Sequence, residues 1–214
     1  MRFGHVVALG GIASLAGIAA GQNISTFDNG GFEEDISFGA SEPGNWLAFF
    51  GGGAALTNDP GGSVPVMPRT GDRSLSIGNL EANNSFAGVQ QGVAVNAGQE
   101  LTFSLWAKTF DEIQDGLEIR IEFRDSDGNL TQDQFINNTA LEGSLTEEYQ
   151  QFSVTDIAPD GTATATIVIA VQSFDGNGVS GGLFSIDDAT FVPTPAGAAL
   201  LGLGGLAAAR RRRR

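Results

Sequence analysis

Eight consecutive residues, 117–124, alternate without exception. Leu117, Ile119, Ile121 and Phe123 fall on one side, and Glu118, Arg120, Glu122 and Arg124 on the other. A period of two places these sets on opposite faces of an extended strand, one toward a core and one toward water. Residues 101–108 repeat the pattern with Leu101, Phe103 and Leu105 against Thr102, Ser104 and Lys108, and they put Trp106 on the polar side. Residues 164–172 are rich in β-branched side chains, which suit a pleated surface. Shorter strand candidates are 74–77, 89–95, 150–154 and 184–192. Turn chemistry separates them: Asn96-Ala97-Gly98, the run from Asp125 through Gly128 to Asn129, Pro159-Asp160-Gly161 and Asp175-Gly176-Asn177-Gly178. No window carries a helical stripe longer than about two turns. The expected class is all-β, a sandwich or jelly roll. Residues 39–71, rich in Gly and Pro, read as one long loop.

Charge narrows the function. Of 25 acidic residues all lie from Asp28 to Asp188, whereas six of the 11 basic ones are Arg2 and Arg210 to Arg214. Arg69, Arg73, Lys108, Arg120 and Arg124 alone face those 25 acids. Such a surface repels phosphate backbones, so no nucleic-acid partner is expected. Cysteine is absent, and the sole histidine, His5, falls in a segment expected to be removed. Cys-His and Ser-His-Asp catalysis and the usual zinc ligands are then excluded from the mature chain. A glycosidase pair remains conceivable at Glu118 and Glu122. Four residues along a strand separate their Cα atoms by ~13 Å, beyond the ~9.5 Å limit for a carboxylate pair. No enzyme activity is expected.

Both ends read as sorting signals. Arg2 followed by the small apolar residues 6–20 and Ala19-Ala20-Gly21 forms a secretory signal peptide, assigned to residues 1–21. The mature domain spans 22–192. Beyond it, Pro193-Thr194-Pro195 ends any strand, and 14 small or apolar residues, 196–209, precede five arginines from Arg210. A helix of that length spans ~21 Å, short of a ~30 Å hydrocarbon core. The arginines stay on the cytoplasmic side. Residues 193–214 are therefore expected to anchor the exported domain only transiently.

The segment VPTPAGAALLGLGGLAAARRRRR, residues 192–214, resembles the PEP-CTERM sorting signal of bacterial surface proteins. Its elements are a Pro-x-Pro motif, a short glycine-rich helix and a basic tail, with Thr194 where glutamate is usual. The resemblance implies an exosortase-type protease as partner, with Pro193, Thr194, Pro195 and Arg210 as sorting residues. It also implies a location at the cell surface or in an exopolysaccharide matrix.

A second series of motifs runs in order through the domain: NGGFEE at 29–34, Trp46, RTGDRSLSI at 69–77, VQQGVAVNAGQELTFSLWAK at 89–108, IEFRDSDGN at 121–129 and SIDDATF at 185–191. Together they resemble carbohydrate-binding modules of the family 4, 9 and 22 type, with a galactose-binding-like jelly roll. That resemblance implies a structural calcium ion tying the first strand to the last. Its ligands here would be Glu33, Asp187 and the carbonyl of Gly31, with Asp188 the alternative to Asp187. It also implies sugar binding, which needs an aromatic platform flanked by polar groups. Trp106 is the candidate platform, with Arg120 and Glu122 beside it; the alternative is that loops or the N-terminal segment cover the indole as part of a minor core. Trp46 is expected in the core and Phe49-Phe50 in a loop. The functional expectation is an exported surface or matrix protein that binds polysaccharide. The alternative is a structural protein of the same fold without a ligand.

Overall fold

The computed structural model describes residues 27–38, 46–61, 65–78, 85–110, 116–132, 139–140, 145–173 and 183–193. The signal peptide and the sorting residues Thr194, Pro195 and Arg210 lie outside them. The described residues form eleven strands: β1 (Ser37–Phe38), β2 (Leu47–Gly51), β3 (Ala55–Thr57), β4 (Leu75–Gly78), β5 (Ser85–Ala94), β6 (Glu100–Thr109), β7 (Gly116–Arg124), β8 (Thr139–Ala140), β9 (Gln150–Ile157), β10 (Thr164–Ser173) and β11 (Phe184–Pro193). They form two sheets, of six strands in the order β1-β2-β5-β10-β7-β8 and of five in the order β3-β4-β11-β6-β9. Pairing is antiparallel except between β1 and β2. This is the expected all-β jelly-roll sandwich. Among the described residues there is no helix, and none is long and apolar enough to cross a membrane.

The alternating segments do what their period requires. Leu101, Phe103, Leu105 and Ala107 of β6 are fully buried, as are Leu117, Ile119, Ile121 and Phe123 of β7, and the two sets belong to different sheets. The core lies between them, closed at one end by Trp46. That indole is fully buried, as expected, and stacks on Phe32 with centroids 5.3 Å apart. Its Nε1 donates to the Asn29 carbonyl at 2.9 Å, satisfying the one polar atom the ring carries into the interior. Gln91 is also buried on an inward-facing strand position. It is satisfied by the backbone of Asp28, whose N–H it accepts and whose carbonyl it bonds, each at 3.0 Å.

Two expectations need correction. Residues 39–71 are not one loop, because β2 and β3 lie inside them. Phe49 and Phe50 are accordingly strand residues and not loop residues. Strand β5 begins at Ser85, four residues before the alternation is visible, because Gly88 interrupts the pattern. Elsewhere the bounds agree to within a few residues, and β11 ends at Pro193. The Asp125 turn is local: Asp125 Oδ1 accepts the amides of Asp127 and Asn129, each at 2.9 Å.

Candidate functional site: two outer faces

Trp106, Arg120 and Glu122 do not share a surface. Trp106 points outward from the five-stranded sheet, opposite Asp187 on β11 and Gln151 on β9. Arg120 and Glu122 point outward from the six-stranded sheet, with the whole core between. The expected Trp106–Arg120–Glu122 grouping is thus not formed. Alternation fixes which face of its own sheet a residue takes and leaves open which sheet that is.

The outer face of the five-stranded sheet is strapped by residues 65–73. Ser76 Oγ donates to the Pro65 carbonyl at 2.8 Å, and Tyr149 Oη donates to the Met67 carbonyl at 2.7 Å. The hydroxyls of Tyr149 and Ser185 lie 2.8 Å apart, and those of Ser185 and Ser74 are at 2.9 Å. Burial pushes the Tyr149 phenol up to about 12. Further along, Arg69 and Thr70 donate their backbone N–H groups to Asp187 Oδ2 at 2.7 and 3.1 Å. Asp72 and Arg73 donate theirs to Glu33. Gly71 between them has φ +65°, and a Cβ there would stand 1.9 Å from Glu33 Oε1.

Glu33 and Asp187 therefore reach one turn from two sides. Asp187 is fully buried and also accepts the Asp188 amide at 2.7 Å. Burial raises its pKa, against the pull of the three amides. Among the described residues no cationic side chain pairs with it; Arg69 pairs instead with Asp188, at 2.5 Å. Also among the described residues, no three His, Cys, Asp or Glu side chains gather as a metal-binding group. A calcium ion here would need carbonyls, such as that of Gly31, to complete its shell. Asp188 itself has φ 48°, and the β11–β6 register shifts between Asp187 and Thr190.

Trp106 is half-covered. The Arg69 guanidinium lies 3.8 Å from its ring centroid, and Lys108 Nζ sits 4.6 Å from the Tyr149 ring and 4.7 Å from that of Phe110. Cations thus occupy the aromatic faces on this side.

The outer face of the six-stranded sheet is built differently. Residues directly opposite across antiparallel strands share a face. One row therefore runs Phe49, Gly88, Ala170, Glu118, and the next runs Leu47, Gln90, Val168, Arg120. A third holds Gly92, Thr166 and Glu122. Three strand spacings make this surface ~14 Å wide from Phe49 to Glu118. The Phe49 ring lies over Gly88, where a Cβ would meet Phe49 Cζ at 2.5 Å and the Ile169 carbonyl oxygen at 2.3 Å, and the middle of the rows is covered, Ala170 and Val168 being buried. Phe86 stands beside Phe49 with ring centroids 6.5 Å apart and is 38% exposed; Phe50 lies opposite the buried Ala87 and takes the other face. Along β7, Arg120 donates to Glu118 Oε1 and Glu122 Oε1, each at 2.8 Å, and Arg124 donates to Glu122 Oε2 at 2.5 Å. One arginine stands between the two carboxylates, so they form a neutralised ladder and not an acid–base pair. Phe86 escaped the sequence reading because its strand start was missed.

No protein-family model matches this chain, and no curated protein does. Solved structures match its fold. A carbohydrate-binding module of family 4 aligns with TM-score 0.52 and 20% identity over 79% of this chain and all of its own. The CBM22-1 xylan-binding domain of Paenibacillus barcinonensis Xyn10C aligns at 0.50 and 15%, over 78% of this chain and 92% of its own. The enzymatically active domain of bacteriophage CBA120 tailspike protein 4 aligns at 0.55 and 19% over 79% of this chain. This chain spans only 21% of that structure's length. The similarity is to the β-sandwich fold of carbohydrate-binding modules.

Proposed function

We propose that the domain is a non-catalytic glycan-binding module of an exported protein held at the cell surface or in its matrix. In this reading the outer face of the six-stranded sheet holds the glycan. The observation that carries it is the Phe49–Phe86 pair, with Phe86 38% exposed and with Gln90 and Arg120 in the neighbouring row. A sugar ring presents an apolar face edged by hydroxyls, and this surface offers an aromatic body with donors and acceptors a strand or two away. Trp106 is the weaker platform because Arg69 occupies its ring.

Export and sorting rest on the chain ends: residues 6–20, and the Pro193-Thr194-Pro195 motif followed by an apolar stretch and five arginines. An exosortase-type protease would act there. A structural calcium ion held by Glu33, Asp187 and the Gly31 carbonyl belongs to the same proposal. What supports it is a fully buried Asp187 with no cationic side chain beside it among the described residues, the kind of anion a hard cation compensates. When bound, the ion would cross-link the first and last segments of the domain.

The test is retention on immobilised neutral polysaccharides for the wild type, Phe86→Ala and Phe49→Ala. Loss of one stacked ring should weaken retention about tenfold, ~1.4 kcal/mol, with Phe86→Ala leaving the melting temperature unchanged. Retention that survives both substitutions overturns this face as the site. A wild type retained by no glycan returns the alternative, a structural protein on the same fold.

A further inference from the structure

Four strands end the two sheets, and three of them are blunted by shortness. β1 and β8 have two residues each and β3 has three. The fourth, β9, has eight residues. Its pairing with β6 runs from Ala107↔Gln150 to Glu100↔Ile157 without a register shift, so no bulge twists it away. It contains no lysine and no proline, and its single charge is Asp156. Short edges, lysine, proline and bulges are among the devices that keep sheet edges apart; β9 has none of these four, and its one charge, Asp156, is on the core-facing register of Phe152 and Val154. Alternate peptide groups of an edge strand point away from the sheet. On β9 the described exception is at the end, where Asp156 Oδ1 accepts the Ile157 amide at 2.7 Å.

The middle of this edge is neutral in a chain of net charge −14, its acids Glu147, Glu148, Glu100 and Asp156 being confined to the two ends. Outward from β9 stand Gln151, Ser153 and Thr155. Outward from neighbouring β6 stand Thr102 and Ser104, with the Thr102 and Thr155 hydroxyls 2.8 Å apart. Depletion of charge marks contact surfaces.

We infer that β9 pairs antiparallel with β9 of a second copy of this chain, joining two five-stranded sheets into one of ten. The sequence of the strand selects the occupant and the register. A two-fold axis at Ser153 sets Ser153 against itself, Phe152 against Val154, Gln151 against Thr155 and Gln150 against Asp156. Apolar then meets apolar on the core side, where Val154 is buried and Phe152 packs on the core. Polar meets polar outside, and no like charges oppose. Moving the axis to Val154 would set Phe152 against Asp156, so the first register is favoured. The contact carries one Asp156 from each copy, at opposite ends, and both chains are acidic, so added salt strengthens pairing.

The chain lacks cysteine, which allows a direct test on the full chain. In the inferred register the two Ser153 Cα atoms stand about 4.5–5.5 Å apart, within disulfide range. Two Gln151 Cα atoms stand four residues apart along the pair, ~13 Å, out of range. Under mild oxidation Ser153→Cys should therefore cross-link into a dimer several times faster than Gln151→Cys. Ser153→Lys, which sets two cations on the axis, should remove the dimer seen by sedimentation between about 1 and 500 µM and keep the wild-type melting temperature. Equal or absent cross-linking at the two positions overturns the inference. So does a dimer that persists in Ser153→Lys, or a wild type that stays monomeric throughout that range.

Discussion

The guanidinium of Arg69 lies 3.8 Å from the centroid of the Trp106 ring and reaches Asp188 at 2.5 Å. One side chain thus ties the strap to both the centre of β6 and the bulge of β11. The cation–π contact and the half-exposed ion pair together are worth about 1–1.5 kcal/mol. Arg69→Ala should lower stability by that amount and make Trp106 fluorescence more accessible to a soluble quencher. Unchanged quenching would show that the guanidinium does not cover the ring.

Arg120 bridges Glu118 and Glu122, and Glu122 is 5% exposed. Removing the arginine leaves that carboxylate with Arg124 alone. Arg120→Ala is expected to cost about 2–4 kcal/mol, since a buried charge has lost a partner. Urea denaturation measures it, and a loss below half a kilocalorie would mean that the ladder is solvated.

Gly71 and Gly98 both have positive φ, +65° and +78°, yet only Gly71 has something above it. An alanine at either position pays the left-handed backbone cost of ~1–2 kcal/mol. At Gly71 the new methyl also displaces the Glu33 carboxylate from the Asp72 and Arg73 amides. Gly71→Ala should therefore be the more destabilising, by about 1–2 kcal/mol, the worth of those hydrogen bonds. Equal melting temperatures for the two variants would separate the turn from Glu33.

If calcium bridges Glu33 and Asp187, it stabilises only the folded chain. At a hundredfold excess over Kd the gain is ~2.7 kcal/mol. Chelator should lower the melting temperature of the wild type and leave Glu33→Ala, already lower, where it stands. The same chelator response in both proteins would rule out this site.

The sandwich was legible because β7 carries unbroken alternation and β6 nearly so. That Glu33 and Asp187 accept amides from one turn was not legible in local pattern. Their separation in sequence gives no physical signal of contact. The grouping of Trp106 with Arg120 failed for a definite reason. Period two reports inside against outside, and in a two-sheet fold there are two outsides. The strap was hidden as well, since its grip comes from backbone amides and carbonyls, which every sequence possesses equally.

The described domain begins and finishes at one spot. The rings of Phe27 and Phe191 have centroids 6.2 Å apart, and Ala189 donates its amide to the Gly30 carbonyl at 2.8 Å. Tension arriving through the flanking chain on either side therefore enters and leaves within a ring's width. The rest of the sandwich hangs clear of the load, as a float does from a line. Under such tension the contact between residues 27–31 and β11 is expected to yield first, before β5, β7 and β10 of the other sheet.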